Sequence, residues 1–317
     1  MDRNDVDWKG YFTAPVTPFT ETGELDEAAF RGVIAHAVKS GVHGVLVNGS
    51  TGEWFSQSKA ERRTLAEIAI GEAAGRIPVI VGVTCTQARD AVPLAEHAAE
   101  AGADAVMASP PPMARPTAKE LDTYYRTVFG ATDLPAWLYN FPQDNGHLID
   151  LDQMESLLDI PTVVAIKQSA PGIDTLVNTI ERVGGRAIVF GHLLGKLGLS
   201  FIKSGFGGDG HFGSGLLLGE AMPQFFEHAW AGRYDEAAQI ADRFDTLMTV
   251  MLGDRKDGYN WAFGGMQPTL KAAMNLLGQQ GGYPRLPKLP VDDVTALAEI
   301  AAALRDAGLE TVGAQED

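Results

Sequence analysis

A (β/α)8 barrel, an α/β fold, with a C-terminal helical annex is the architecture this sequence predicts, and three observations predict it. Short apolar runs alternate with longer amphipathic stretches through the first two-thirds of the chain. Within most of those runs Val, Ile, Leu and Ala fall on successive residues, as they do in strands buried on both faces. No composition shift marks a mid-chain linker. A doubly wound open sheet shares the alternation, but eight strands each followed by a crossover segment fit the closed barrel.

The strands are placed at residues 11–15, 44–48, 78–83, 103–108, 136–139, 163–167, 187–190 and 208–212. Between them, residues 26–40 carry Phe30, Val33, Ile34 and Ala37 at three- and four-residue spacing, with Gly41 as a stop. Residues 58–75 open on Ser58 with Glu61 three places on, a capping box, and continue with Leu65, Ile68 and Ile70. Residues 88–101, 117–130 and 171–184 repeat the helical pattern, and a further helix precedes Gly205. From about Met222 the strand signals stop, and 222–232, 234–251, 266–277 and 291–307 read as helices broken at 253–265 and 281–290. The barrel is assigned to 1–221 and the annex, packed on it, to 222–317, with the tail from Thr311 expected to fray.

Composition narrows the function. Of 317 residues, 45% are apolar and 21% charged, which is globular. No apolar run approaches the roughly 18 residues of a spanning helix, so no membrane role is expected. The polar N-terminus lacks the apolar stretch of a signal peptide, and the single cysteine, Cys85, rules out an internal disulfide. Both point to the cytoplasm. The net charge of −16, without a basic cluster, argues against nucleic acid.

In a barrel, reactive groups stand at the C-terminal strand ends and in the loops that follow. Lys167 ends the run from Ile160 to Ile166, which holds no other charge. An amine there loses hydration, its pKa falls, and the neutral form attacks carbonyls. A strand-end lysine that packs its stem and sends its head to water has the same spelling. Tyr139 ends the neighbouring strand, within reach of the same substrate, as a proton shuttle or an aromatic plug. Gly49, Ser50 and Thr51 lie in the glycine-flanked turn from Asn48 to Glu53, whose N–H groups and hydroxyls suit a carboxylate or phosphate oxygen. His192 and His211 end strands seven and eight, and His147 follows strand five; without a carboxylate at ligand spacing, no metal is expected. The Gly-x-Gly-x-x-Gly match at Gly205–Gly210 follows a helix late in the chain, so it is not read as a dinucleotide fingerprint.

Five segments in order, Ala14–Phe19, Gly49–Glu53, Tyr139–Pro142, Ala165–Ser169 and Asp209–Ser214, resemble the dihydrodipicolinate synthase/N-acetylneuraminate lyase family over about Gly10 to Ala307. The resemblance implies a cofactor-free lyase, usually a tetramer, that makes or breaks a C–C bond between a 2-oxo acid such as pyruvate and an aldehyde. Lys167 would form the imine and Tyr139 move the proton. Ser50 and Thr51 would hold the 2-oxo acid carboxylate, and Thr17 would line the same pocket. Two departures bear on substrate. Asp144 stands where the synthase branch carries arginine for a second carboxylate, and the segment Ser109–Pro116 offers Pro112 or Met113 where that branch uses a tyrosine reaching across a subunit contact. His192 and Leu193 replace the acidic pair with which the sialic acid branch grips a sugar tail. A true dihydrodipicolinate synthase or sialic acid lyase is therefore not expected. Trp54, Phe55, Phe141 and Met113 are expected to give the distal pocket an apolar, aromatic wall. The same imine also serves dehydration, deamination or hydration, and a non-catalytic 2-oxo acid-binding barrel fits the residues as well.

Overall fold

The computed structural model describes residues 1–253 and 261–312; the expected break at 253–265 lies partly, and the expected fraying tail mostly, outside the described residues. Eight parallel strands close in sequence order: β1 (Gly10–Ala14), β2 (Gly44–Val47), β3 (Val79–Gly82), β4 (Ala105–Ala108), β5 (Ala136–Asn140), β6 (Val163–Gln168), β7 (Ile188–Gly191) and β8 (Gly210–Ser214). The seam between β8 and β1 pairs five residues, from Gly10 with Gly210 to Ala14 with Ser214. Strand β8 begins two residues later than the sequence suggests. Gly207 and Gly208 take φ of 117° and 86°, a left-handed turn that delays pairing until Gly210.

The outer ring follows the capping signals. Helix α1 (Glu27–Lys39) is capped by Asp26, while α2 (Lys59–Ala73) and α4 (Ala118–Phe129) open on the Ser58/Glu61 and Thr117/Glu120 capping boxes. Helix α3 (Ala88–Ala101) stands between them in sequence. The β5–β6 crossover holds two short helices absent from the sequence reading, α5 (Pro142–Asn145) and α6 (Leu151–Leu157), each too brief to show a period. Helices α7 (Ile173–Val183) and α8 (Lys196–Ser204) follow β6 and β7. Helix α9 (Ala221–Trp230) follows β8 and lies against β1, where Glu227 meets His43 at 2.8 Å and Trp230 packs on the same imidazole. Beyond it come α10 (Tyr234–Leu252), α11 (Met266–Leu276) and α12 (Val294–Asp306). The apolar layer between strands and ring helices continues into Leu247 of α10 and Ile300 of α12.

The barrel interior is an aromatic stack. Phe12, Trp137, Phe190 and Phe212 pack edge to face at 4.9–5.5 Å in four of their pairings, and Trp8, just before β1, stacks on Trp137 at 5.3 Å and seals the N-terminal end. Gly44 and Gly210 carry no side chain where one would collide with Phe12 and Phe190. Everything below the mouth is therefore filled. Replacing Trp137 with Ala should lower stability by about 3–5 kcal/mol, read as a fall in the urea unfolding midpoint, and should cost more than Trp8→Ala, whose ring stacks on one side only.

Candidate active site

Strand register builds the centre of the site. Residues β5 Tyr139 and β6 Lys167 are paired, so their side chains point into the barrel mouth together. The Lys167 ammonium nitrogen lies 4.1 Å from the Tyr139 ring centre and 5.0 Å from that of Phe212. Loss of hydration in this aromatic enclosure lowers its pKa from 10.5 to about 7; the field of Asp144 opposes that shift. The next residues of both strands lock the ends. Asn140 donates to the Ile149 carbonyl and to Gln168 Oε1, and its own Oδ1 accepts the Ile149 N–H. Gln168 donates in turn to Thr179 at 2.8 Å. Both amides were visible only as parts of motifs, because their role lies in contacts with each other, with Ile149 in the loop before α6 and with Thr179 of α7.

The turn after β2 supplies donors. Asn48 and Glu53 bracket it with φ of 57° and 60°, and the Gly52 and Glu53 N–H groups close it on the Gly49 and Ser50 carbonyls. Among the described residues no acceptor takes the N–H of Ser50 or Thr51. Ser50 Oγ donates to Asp144 at 2.6 Å, and burial, opposed by that bond and by Lys167 and Lys288, raises the Asp144 carboxyl above its usual range. Thr51 Oγ1 reaches Ser214 Oγ at 3.5 Å. Gly49 and Ser50 border a small hollow shared with Tyr139 and Trp54.

A cavity of about 510 Å³ opens from Lys167 and Tyr139 past Thr51, Ser169, Phe212 and Ser214. It does not end at the barrel rim. Leu217, Leu218, Met222, Phe244, Leu247, Met248, Trp261 and Met266 continue it between the mouth and the C-terminal helices, with His192, Asp245 and Thr249 as polar points. The apolar wall thus differs from the expected one. Phe141 lines the cavity, but Met113 is 89% and Phe55 38% exposed, and neither lines it; Trp54 borders the neighbouring hollow instead. Residues from α10 and α11 take their place, a contribution that strand-end logic does not see.

Three other expected residues are placed differently from one another. Thr17 is buried outside the cavity, its hydroxyl accepting from Gln57 at 3.0 Å and its carbonyl from Lys271. His211 and His192 both line the cavity, their rings 5.6 Å apart. Burial holds both imidazoles neutral, with His192 lowered to about 4 and His211, which also faces His192 and Lys167, lowered well below its usual value. The Leu194 N–H donates to His211 Nδ1 at 2.9 Å, which fixes the proton on Nε2. His147 lies outside the cavity, and among the described residues no group of three or more His, Cys, Asp or Glu is arranged to hold a metal.

A parallel barrel with a desolvated amine at its mouth, beside a phenol and the hydroxyl-bearing turn of Ser50 and Thr51, is consistent with a lyase of the class I aldolase type, the class to which the family below belongs. The model of the dihydrodipicolinate synthetase family matches residues 7–306, and the chain belongs to that family. An uncharacterized DapA-like lyase from Rhizobium meliloti is 33% identical over 290 residues, 91% of this chain and 92% of that one. A 4-hydroxy-tetrahydrodipicolinate synthase from Bradyrhizobium diazoefficiens is 30% identical over 304 residues, covering 95% and 97%. The crystal structure of dihydrodipicolinate synthase from Aquifex aeolicus superposes with a TM-score of 0.83 at 26% identity, covering 96% of this chain and all of that one. Among the described residues no helix is long and apolar enough to cross a membrane.

The depressed pKa of Lys167 has a signed consequence. Between pH 7 and 10.5 the unfolded chain binds the proton that the folded chain releases, so stability from this group rises with pH across that window. Lys167→Met should therefore be more stable than the parent at pH 7, with the advantage shrinking toward pH 10.5 in paired thermal melts.

Proposed function

We propose that this lyase condenses Lys167 with the ketone of a 2-oxo acid and breaks or forms the C3–C4 bond between that acid and an aldehyde. The observation that carries the reading is the Lys167 amine, enclosed by aromatic rings 4.1 Å from the Tyr139 ring centre, with its pKa lowered to about 7. A substantial neutral fraction is then available at physiological pH; the nitrogen attacks C2, the Tyr139 phenol protonates the departing hydroxyl, and water leaves to give an iminium and a Tyr139 phenolate. In the cleavage direction the C4 hydroxyl gives up its proton to Tyr139, and the C3–C4 electron pair moves into the iminium. That step leaves an enamine and releases the aldehyde. Tyr139 returns its proton to C3, and water hydrolyses the imine. The 2-oxo acid carboxylate would rest on the Ser50 and Thr51 N–H groups and hydroxyls, fixing C2 beside the amine. His192 and His211, held neutral, would offer hydrogen bonds to the C4 substituent without adding charge.

Substrate selection follows from the rest of the cavity. Asp144 stands 2.6 Å from Ser50 and repels a second carboxylate, which supports a reaction other than dihydrodipicolinate synthesis. The wall of Phe244, Leu247, Met248, Trp261 and Met266 is mainly apolar, with Asp245 and Thr249 its polar points, and so favours an apolar over a polyhydroxyl tail. The reading is therefore an aldehyde portion that is apolar or aromatic, with no cofactor and no metal. Assembly as a dimer or tetramer belongs to the same reading, since Met113, Leu286 and Leu289 leave apolar side chains exposed.

Borohydride reduction in the presence of pyruvate should add mass to the peptide containing Lys167, and Lys167→Arg should abolish both adduct and turnover. Tyr139→Phe should lower kcat about 10²–10⁴-fold while the trapped adduct still forms. Pyruvate release should be faster from aryl-substituted than from sugar-derived 4-hydroxy-2-oxo acids; the reverse order would overturn the assignment of the aldehyde.

A further inference from the structure

The turn proposed to hold the substrate carboxylate is built by a helix of the C-terminal region. Gln267, on the first turn of α11 and fully buried, donates from Nε2 to the Ser50 carbonyl at 3.0 Å. The Glu53 N–H donates to that same carbonyl at 3.1 Å. A trans peptide holds its C=O and N–H antiparallel. Pinning the Ser50 carbonyl toward α11 therefore aims the Thr51 N–H the opposite way, where no acceptor among the described residues takes it and where Thr51 borders the cavity.

One turn further along α11, Lys271 anchors the same loop. Its ammonium forms an ion pair with Glu53 Oε1 at 2.5 Å and donates to the Thr17 and Tyr283 carbonyls, both at 2.7 Å. The second Glu53 oxygen accepts the Arg285 N–H at 3.1 Å. The Arg285 guanidinium stacks 4.0 Å from the centre of the Phe19 ring and binds Glu61 through two nitrogens. Glu53 and Lys271 are both fully out of water, so neither tolerates loss of the other. The ion pair fixes where the turn sits, and Gln267 fixes which way one peptide of it faces.

We infer that Gln267 is a positioning residue for 2-oxo acid binding: its amide orients the Ser50–Thr51 peptide so that the Thr51 N–H meets the substrate carboxylate. The inference rests on the imine reading above. It assigns Gln267 an effect on capture of the acid and none on the bond-breaking step, because the residue touches neither Lys167 nor Tyr139.

The test is pyruvate-dependent borohydride trapping, followed by mass spectrometry of the Lys167 peptide in the parent, Gln267→Leu and Gln267→Met. Parent protein that forms no adduct defeats the imine reading itself. With an adduct in the parent, Gln267→Leu should need about tenfold more pyruvate for half-maximal labelling. It should raise KM by a similar factor, keep kcat within about threefold, and melt within a few degrees of the parent. A folded variant with unchanged half-saturation, or one that loses kcat at unchanged KM, overturns the positioning role and leaves the imine intact. Gln267→Met keeps the length of the side chain and removes only the donor. It applies the same criterion if the leucine variant does not fold.

Discussion

The reaction proposed for this molecule depends on removing one ammonium group from water. Hydration is what keeps a lysine protonated at neutral pH, and the barrel withdraws it by surrounding the Lys167 nitrogen with the faces of Tyr139 and Phe212. That enclosure requires β5 and β6 to run in register and the interior beneath them to be solid. The register comes from the closed parallel sheet, and the solidity from Phe12, Trp137 and Phe190. The attraction of the cation to the two rings opposes the desolvation. Asp144, the nearby carboxylate that acts on the amine, is engaged by Ser50 and raised in its own pKa, so it offsets only part of the effect.

The C-terminal helices complete the site in two ways. Helix α10, Trp261 and the start of α11 wall the distal cavity, while Gln267 and Lys271 buttress the donor turn from behind. A buried ion pair is weak evidence of stability, since apolar replacement of both partners is often neutral. Its value here is geometric, because Glu53 lies in the same turn as Thr51, which lines the cavity, and its carboxylate has a fixed partner on each oxygen.

The barrel was legible because a strand buried on both faces spells itself as an unbroken apolar run, and the ring helices announce themselves through caps such as Ser58 with Glu61. Lys167 and Tyr139 were legible for a related reason: a charge or a phenol at the end of such a run stands out. Phe55 and Met113 were misplaced because proximity in sequence to a strand end does not say which way a loop side chain turns. Trp261 and Phe244 were missed because they reach the cavity from far along the chain, Phe244 on α10 and Trp261 ahead of α11. Gln267 was invisible for the simplest reason, since a glutamine in an amphipathic helix carries no local sign that its partner is a carbonyl 217 residues earlier.

The separation between the aromatic plug and the α10 wall bears on how such an enzyme changes over time. The rings that enclose the Lys167 nitrogen are carried by strands whose interior neighbours are interlocked, so few exchanges there are neutral. Phe244, Leu247 and Met248 sit on one outer helix and share no hydrogen bond with Lys167 or Tyr139. Under the proposed reaction, selectivity can drift through that helix while the amine and its enclosure stay intact, which makes α10 the natural place to retailor this scaffold toward other substrates.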